Sequence, residues 1–248
     1  MSAEYLVKIG QIIIFTIMSI KQIENSRSIE SLLSAIDDGK IILPEFQRDY
    51  KWPIEKTEIL FDSIFKGLFI GSLILSKPKF DLACKKIDLR ERGSRKHKPK
   101  STLYKSEDFE NKDIYALLDG QQRITSIYRA LKGPDDIFIE FNEIKKLIDN
   151  EWYNYNDEEP KVGAEVYIDG FTSDHPSRNE FYICLRELYE NIDKREKEFI
   201  DNCVIPRVNE IEKITEKDIE VLESYAVNLR QYFNNYIIKE SNLLSVHL

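Results

Sequence analysis

The run IESLLSAIDDG (29–39) is amphipathic, with Ser28 before it and Gly39 at its end, and predicts a short helix capped by the serine and stopped by the glycine. A bare apolar triplet, IIL (41–43), then reads as a short strand ended by Pro44. Pro53 opens the next helix from its first position, with Ile54, Ile59, Leu60, Ile64 and Phe65 on a broad apolar stripe and Gly67 closing it. SLILS (72–76) and IYALL (114–118) read as buried strands, the second ending at Asp119. A helix over 121–131 follows, stopped by Gly133-Pro134, and then a strand over 136–141. Residues 142–175 mix acidic and aromatic side chains and suggest a short helix and an irregular hairpin. FYICL (181–185) is strand-like, with helical residues near Leu188 and over 194–203. From 216 to 236, Ile219, Leu222, Tyr225, Ala226, Leu229, Tyr232, Phe233 and Tyr236 recur every three or four residues, which predicts a long amphipathic helix. The alternation implies an α+β fold: a small mixed sheet with flanking helices, then a helical C-terminal part.

The stretch 78–112 breaks the pattern. Between Lys85 and Lys105 stand nine lysines and arginines against two acids, Asp88 and Glu91, in a chain whose net charge is −8. It reads as a long surface loop, either a solvated insertion or an arm that meets nucleic-acid phosphates through Arg92, Arg95, Lys96 and Lys98. The acidic balance excludes a uniformly basic nucleic-acid binder, so a DNA contact needs such a local patch.

Composition narrows the class further. With 248 residues, 42% of them hydrophobic, 32% charged and a mean hydropathy of −0.42, the chain fits a soluble protein with a real core. Residues 7–20 are apolar but too short for a comfortable membrane span, and no membrane partner is expected. Met18 opens a natural start, so 1–17 reads as an apolar extension or a misassigned start. Cys84, Cys184 and Cys203 show no CxxC spacing, as a reducing cytoplasm permits, and no disulfide framework follows. His97, His175 and His247 are scattered without zinc spacing, which leaves carboxylate-bound Mg²⁺ as the metal chemistry still open.

Two segments carry candidate chemistry. LLDGQQR (117–123) ends a strand in an acid, turns on Gly120 and starts a helix at once, which exposes backbone N–H groups to an anion. Arg123 can clamp the same anion, Asp119 can hold Mg²⁺ or polarise a water, and Gln121 and Gln122 can orient a water or a base edge. An N-cap aspartate with a surface arginine accounts for the same letters. LPEFQRDYKW (43–52) sets Gln47 and Arg48 among Phe46, Tyr50 and Trp52, a composition suited to stacking a base while a guanidinium meets phosphate. The same aromatics can simply anchor a loop to the core.

In their order and spacing, with Gly71-Ser72 between them, the two segments resemble the paired motifs of the GmrSD-type N-terminal domain, a ParB/sulfiredoxin-like fold of bacterial anti-phage systems. The resemblance is good over about 20–141 and weaker beyond. It implies a domain over 18–190 with the basic insertion at 78–112, and a helical part over 191–248 that is incomplete relative to the family. It also implies nucleoside triphosphate binding and hydrolysis. Asp119, Gln121, Gln122 and Arg123 would be catalytic, Asp119 the metal ligand, and Gln47, Arg48, Tyr50, Trp52 and Gly120 the nucleotide-binding set. Recognition of modified foreign DNA is implied as well. The F-x-R-x-N-like and HNH segments of family members are missing from this sequence, so nuclease activity is not expected of it and a separate nuclease subunit is an implied partner.

Overall fold

A computed structural model describes residues 26–97, 99–141, 168, 170–177, 180–240 and 243–247. Its elements are α1 (Ile29–Asp37), α2 (Ile54–Phe65), α3 (Ser106–Asn111), α4 (Gln121–Lys132) and α5 (Leu185–Glu190), followed by α6 (Glu196–Phe199), α7 (Ile205–Val208) and α8 (Glu216–Tyr232). The strands are β1 (Ser26–Arg27), β2 (Ile41–Pro44), β3 (Leu73–Ser76), β4 (Leu82–Lys85), β5 (Thr102–Tyr104), β6 (Tyr115–Asp119), β7 (Phe138–Glu140), β8 (Gly170–Thr172), β9 (Tyr182–Cys184) and β10 (Leu243–His247).

Seven strands form one mixed sheet in the order β1-β10-β3-β6-β2-β4-β5, and β8-β7-β9 form a second, antiparallel sheet. In the main sheet β6 runs parallel to β2 and antiparallel to β3. The carboxyl ends of β2 and β6 therefore lie side by side, and the segment 45–53 and the start of α4 leave from the same edge. The crevice beyond such strand ends is where sheet proteins of this kind take ligands.

One apolar core spans the two sheets and the C-terminal helices, from Leu32 and Phe61 through Leu75, Leu117 and Ile127 to Leu229 and Phe233. A smaller cluster, Ile42, Leu82, Cys84, Phe109, Ile114 and Ala116, brings α3 against β2, β4 and β6. Helix α4 is buried nearly all round, including Gln121, Gln122, Thr125, Ser126 and Arg129. Polar side chains at such depth require partners, and those partners define the site below.

The expected α+β architecture and the helical C-terminal part are present, with four local differences. Ser28 does cap α1, its hydroxyl accepting from Ser31 N–H at 3.1 Å. Pro53, however, stands one residue before α2 as its extended N-cap. The segment 78–112 is not one long loop: β4, β5 and α3 are built from it, and it supplies that edge of the main sheet. The helical runs over 194–203 and 216–236 each turn into π-helix, at Ile200–Val204 and Phe233–Lys239. Finally, the chain returns to the main sheet as β10, parallel to β3 with Val246 opposite Ile74. Of the hairpin expected within 142–175, β8 pairs antiparallel with β7, while 142–167 lies outside the described residues, as does the extension 1–17.

Candidate functional site

The two segments singled out in the sequence face each other across a cleft of about 280 Å³, with Gln47, Arg48 and Trp52 on one wall and residues 118–123 on the other. Two glutamines hold the walls in register. Gln47 Nε2 donates to the carbonyls of Leu117 and Leu118 at 2.6 and 2.9 Å, which ties the first segment to the end of β6. In return, Gln122 Oε1 accepts from the N–H groups of Lys51 and Trp52 at 2.9 and 3.2 Å, and its Nε2 donates to the Asp49 carbonyl at 3.2 Å. The Gln122 amide is thus committed to backbone, not to a water or a base.

Arg123 is committed as well. Its Nη1 donates to the Ile70 carbonyl at 2.7 Å, and its Nη2 to the Ser72 carbonyl and the Asp119 carboxylate at 2.8 and 3.0 Å. The guanidinium packs on Gly71, where a Cβ would lie 1.8 Å from Nη1 and where φ is +94°. Only glycine leaves that space and holds that backbone without strain. Gly120 is under the same pressure, with φ +92° and a hypothetical Cβ 2.3 Å from Leu73 Cδ2. It ends β6 and starts α4 in one residue.

What remains for a ligand is the backbone, the buried Gln47 Oε1, which has no hydrogen-bond partner among the described residues, and three further side chains. Gly120 offers no capping side chain, and the first bond of α4 runs from Ile124 N–H to the Gly120 carbonyl at 3.0 Å. The N–H groups of Gln121, Gln122 and Arg123 are therefore unused by the helix, and these residues line the cleft at the positive end of its dipole. No acidic residue occupies this first turn. Arg48 is exposed, and among the described residues its guanidinium has no acidic partner. Gln121 is 7% exposed, yet its amide makes no hydrogen bond among the described residues. Trp52 lines the cleft with Lys56 over its ring at 5.7 Å.

The site suits an anion better than a metal held by protein alone. Asp119 is largely exposed and already pairs with Arg123. Among the described residues no three His, Cys, Asp or Glu side chains converge. A hard divalent cation prefers six or more oxygens, so it fits here only if phosphate oxygens supply most of them.

Tyr50 turns away from the cleft into a second network. Its hydroxyl bonds Ser126 Oγ at 2.9 Å and accepts from Arg92 Nη2 at 2.9 Å, and the guanidiniums of Arg92 and Arg129 lie 5.2 and 5.3 Å from its ring centre. Arg129 and Asp135, each only 2% exposed at the side chain, form a two-bond pair at 2.9 and 2.7 Å. Arg92 adds bonds to the same carboxylate at 3.2 and 2.7 Å and another to the Trp52 carbonyl at 2.6 Å. Burial pushes the Asp135 carboxyl upward, but the two guanidiniums outweigh it and hold the group below its ordinary value. Arg129 Nη1 also donates to the carbonyls of Asp88 and Arg90 at 2.5 and 2.9 Å.

The basic insertion is therefore nailed to α4, and Arg92, expected to meet nucleic-acid phosphates, is instead paired with Asp135. Arg95 and Lys96 are exposed without an acidic partner among the described residues, and Lys98 lies outside them. Sequence reasoning passed over Thr125, Arg129 and Asp135. Arg129 and Asp135 carried a signal, a helical arginine six residues before an acid that follows a Gly-Pro stop.

A mixed α+β chain with a helix N-terminus and a free arginine across one cleft defines a candidate anion-binding protein. The model of the family described as "GmrSD restriction endonuclease, N-terminal domain" matches residues 29–248, and the chain belongs to this family. Membership carries a connection with restriction. The chain is also 28% identical over 116 residues to "Uncharacterized protein MJ0686" of Methanocaldococcus jannaschii, an alignment covering 45% of this chain and 18% of that protein. The chain thus spans under a fifth of the length of this relative. Among the described residues no helix is long and apolar enough to cross a membrane.

Proposed function

We propose that the cleft binds the phosphates of a nucleoside triphosphate, and that the chain is a cytoplasmic NTP-hydrolysing sensor or effector component of a system that restricts modified foreign DNA. One observation carries the reading: the uncapped N-terminus of α4 and the free Arg48 guanidinium open on the same cleft. Backbone N–H groups with the helix dipole, completed by a fork-shaped cation, are a general recipe for phosphate. In this reading Arg48 meets phosphate oxygens, Trp52 offers a ring to the sugar, and Gln121 turns its amide to the ligand. Mg²⁺, when bound, would neutralise phosphate charge between Asp119 and the phosphate oxygens. Gln122, Arg123 and Gln47 act indirectly, by holding the two walls.

Titration calorimetry with ATP, GTP, CTP and UTP in Mg²⁺, beside a phosphate-release assay with and without DNA, tests this. Arg48→Ala should weaken binding at least tenfold without moving the urea midpoint. Failure of the wild type to bind any nucleotide overturns the reading.

A non-catalytic DNA-binding role for the same subunit is favoured by exposed Arg95 and Lys96 on the insertion. Arg95→Glu with Lys96→Glu should then lower DNA affinity and flatten its salt dependence, whereas Arg92→Glu should act on stability. Equal DNA affinity in the double variant removes this role. DNA and a separate nuclease subunit are the partners this proposal names.

A further inference from the structure

Beside the phosphate cleft lies a larger cavity of about 430 Å³, and Gln121 lines both. Its floor holds an anomaly. Thr125 is 1% exposed, and among the described residues its hydroxyl has no hydrogen-bond partner, not even the carbonyl four residues back that a helical threonine ordinarily uses. Gln121, one turn earlier on the same face of α4, is 7% exposed and lines both cavities, and its amide makes no hydrogen bond among the described residues. Leaving buried donors and acceptors unmade is costly, and such groups persist where a ligand completes them.

Three of the charged groups that line the cavity are engaged in ion pairs, while Glu45, Lys86 and Lys100 line it as exposed side chains. Lys85 pairs with Asp49 at 3.0 Å, and Asp88 with Arg90 at 2.6 Å. Tyr50, also in the lining, has Arg92 and Arg129 against its ring, so it is not an open stacking platform. Among the buried side chains of the lining, the unspent recognition chemistry is one amide, with a donor and an acceptor, and one hydroxyl that can do either. That buried, uncharged pair matches the edge of a neutral heterocycle.

We infer that Gln121 and Thr125 form a nucleobase-reading pocket, in which the amide and the hydroxyl bond the base edge of a nucleotide whose phosphates occupy the neighbouring cleft. The inference rests on the reading of that cleft as a phosphate site and adds which residues choose the base. The loss of one neutral hydrogen bond in a buried site corresponds to roughly a fivefold to tenfold loss of affinity. Discrimination of that order is assigned to Thr125, and Gln121 adds to it.

The test measures dissociation constants for inorganic tripolyphosphate, ATP, GTP, CTP and UTP on the wild type, Thr125→Val and Gln121→Met. Wild type should prefer one or two bases over the rest by more than tenfold. Thr125→Val should narrow that spread toward unity for bases with a bond to lose, keep the wild-type affinity for tripolyphosphate, and leave the urea midpoint equal or higher, because it removes a hydroxyl that has no partner among the described residues. Gln121→Met should also narrow the spread. A spread unchanged in both variants, or none in the wild type although tripolyphosphate binds, overturns base reading and leaves the phosphate site standing. A midpoint that falls in Thr125→Val shows that the hydroxyl is already bonded, and overturns the inference too. If neither tripolyphosphate nor any nucleotide binds, both readings fall together.

Discussion

Gln122→Met is the most direct probe of how the site is held. Methionine keeps the length of the side chain but removes the amide, and with it the bonds at 2.9 and 3.2 Å to the N–H groups of Lys51 and Trp52 and the bond at 3.2 Å to the Asp49 carbonyl. A neutral hydrogen bond contributes about 1 kcal/mol net, so the three together come to about 3 kcal/mol. The released backbone groups sit in a partly solvated segment where water can replace some of the bonds. The figure is therefore nearer the top of the expected range than its centre. Against a typical total of 5–15 kcal/mol, the variant stays folded but loses a sizeable share of its stability, and its melting temperature falls by roughly 6–12 °C.

Urea unfolding followed by tryptophan fluorescence reads this, because Trp52 is carried by the released segment. The midpoint should drop with the slope unchanged, the mark of lost stability in an otherwise equivalent native state. Gln121→Met supplies the control. The two glutamines are neighbours, each 7% exposed, but the Gln121 amide makes no bond among the described residues. Its replacement should cost less than about 0.5 kcal/mol, as a substitution that breaks no contact does. Equal losses in the two variants would refute the division of the glutamines into a structural clamp and a free recognition group. So would a Gln122→Met protein with the wild-type midpoint.

Two further outcomes follow from the buried groups. Asp135→Ala leaves the Arg129 guanidinium without its counter-ion and should cost about 3–5 kcal/mol, measured by urea unfolding at neutral pH. Because the folded Asp135 carboxyl is held below its ordinary 3.8, its contribution is fully present above that value and is lost as pH falls through the lower folded one. The wild-type midpoint should therefore fall below pH 4 by more than that of Asp135→Asn, and parallel pH profiles would contradict the assignment. Burial pushes the Cys84 thiol up to about 11 and the Cys203 thiol up to about 12, and it raises Cys184 as well. All three are buried and free, so a thiol-reactive dye should label them only after unfolding, and rapid labelling of native protein would count against the described core.

Much of the scaffold was legible because its signals are local. A serine before an apolar run made α1, and the β6–Gly120–α4 turn was visible in a strand that ends in Asp-Gly. The edge of the main sheet was hidden for a physical reason. β4 and β5 are four and three residues long, both carry partly exposed faces, and they are separated by a charged segment whose anchoring comes from Arg129 and Asp135, far away in sequence. β10 is a short apolar run at the chain's end, and its pairing with β3 bridges about 170 residues, a contact that no periodicity announces. At the site, the sequence showed which residues meet but not which are already engaged. Glutamine and arginine look the same in a string whether they face carbonyls or a ligand.

That distinction alters what the paired motifs mean. If Gln122, Arg123 and Gln47 were the ligand-contacting groups, the spacing of the two segments would matter only through the ligand. Here each of the three bonds the backbone of another segment: Gln122 to 49–52, Arg123 to 70–72, and Gln47 to 117–118. The glycines at 71 and 120 remove the side chains that would block those contacts. Most of the letters that make the motifs recognisable are thus spent on setting the distance between two walls and stripping the end of a helix of its cap. The phosphate-seeking groups are the ones a motif specifies least, backbone N–H donors that any residue has, with Arg48 opposite them. A neutral substitution in the clamp should therefore lower ligand affinity in proportion to the stability it removes, while Arg48→Ala should separate the two quantities.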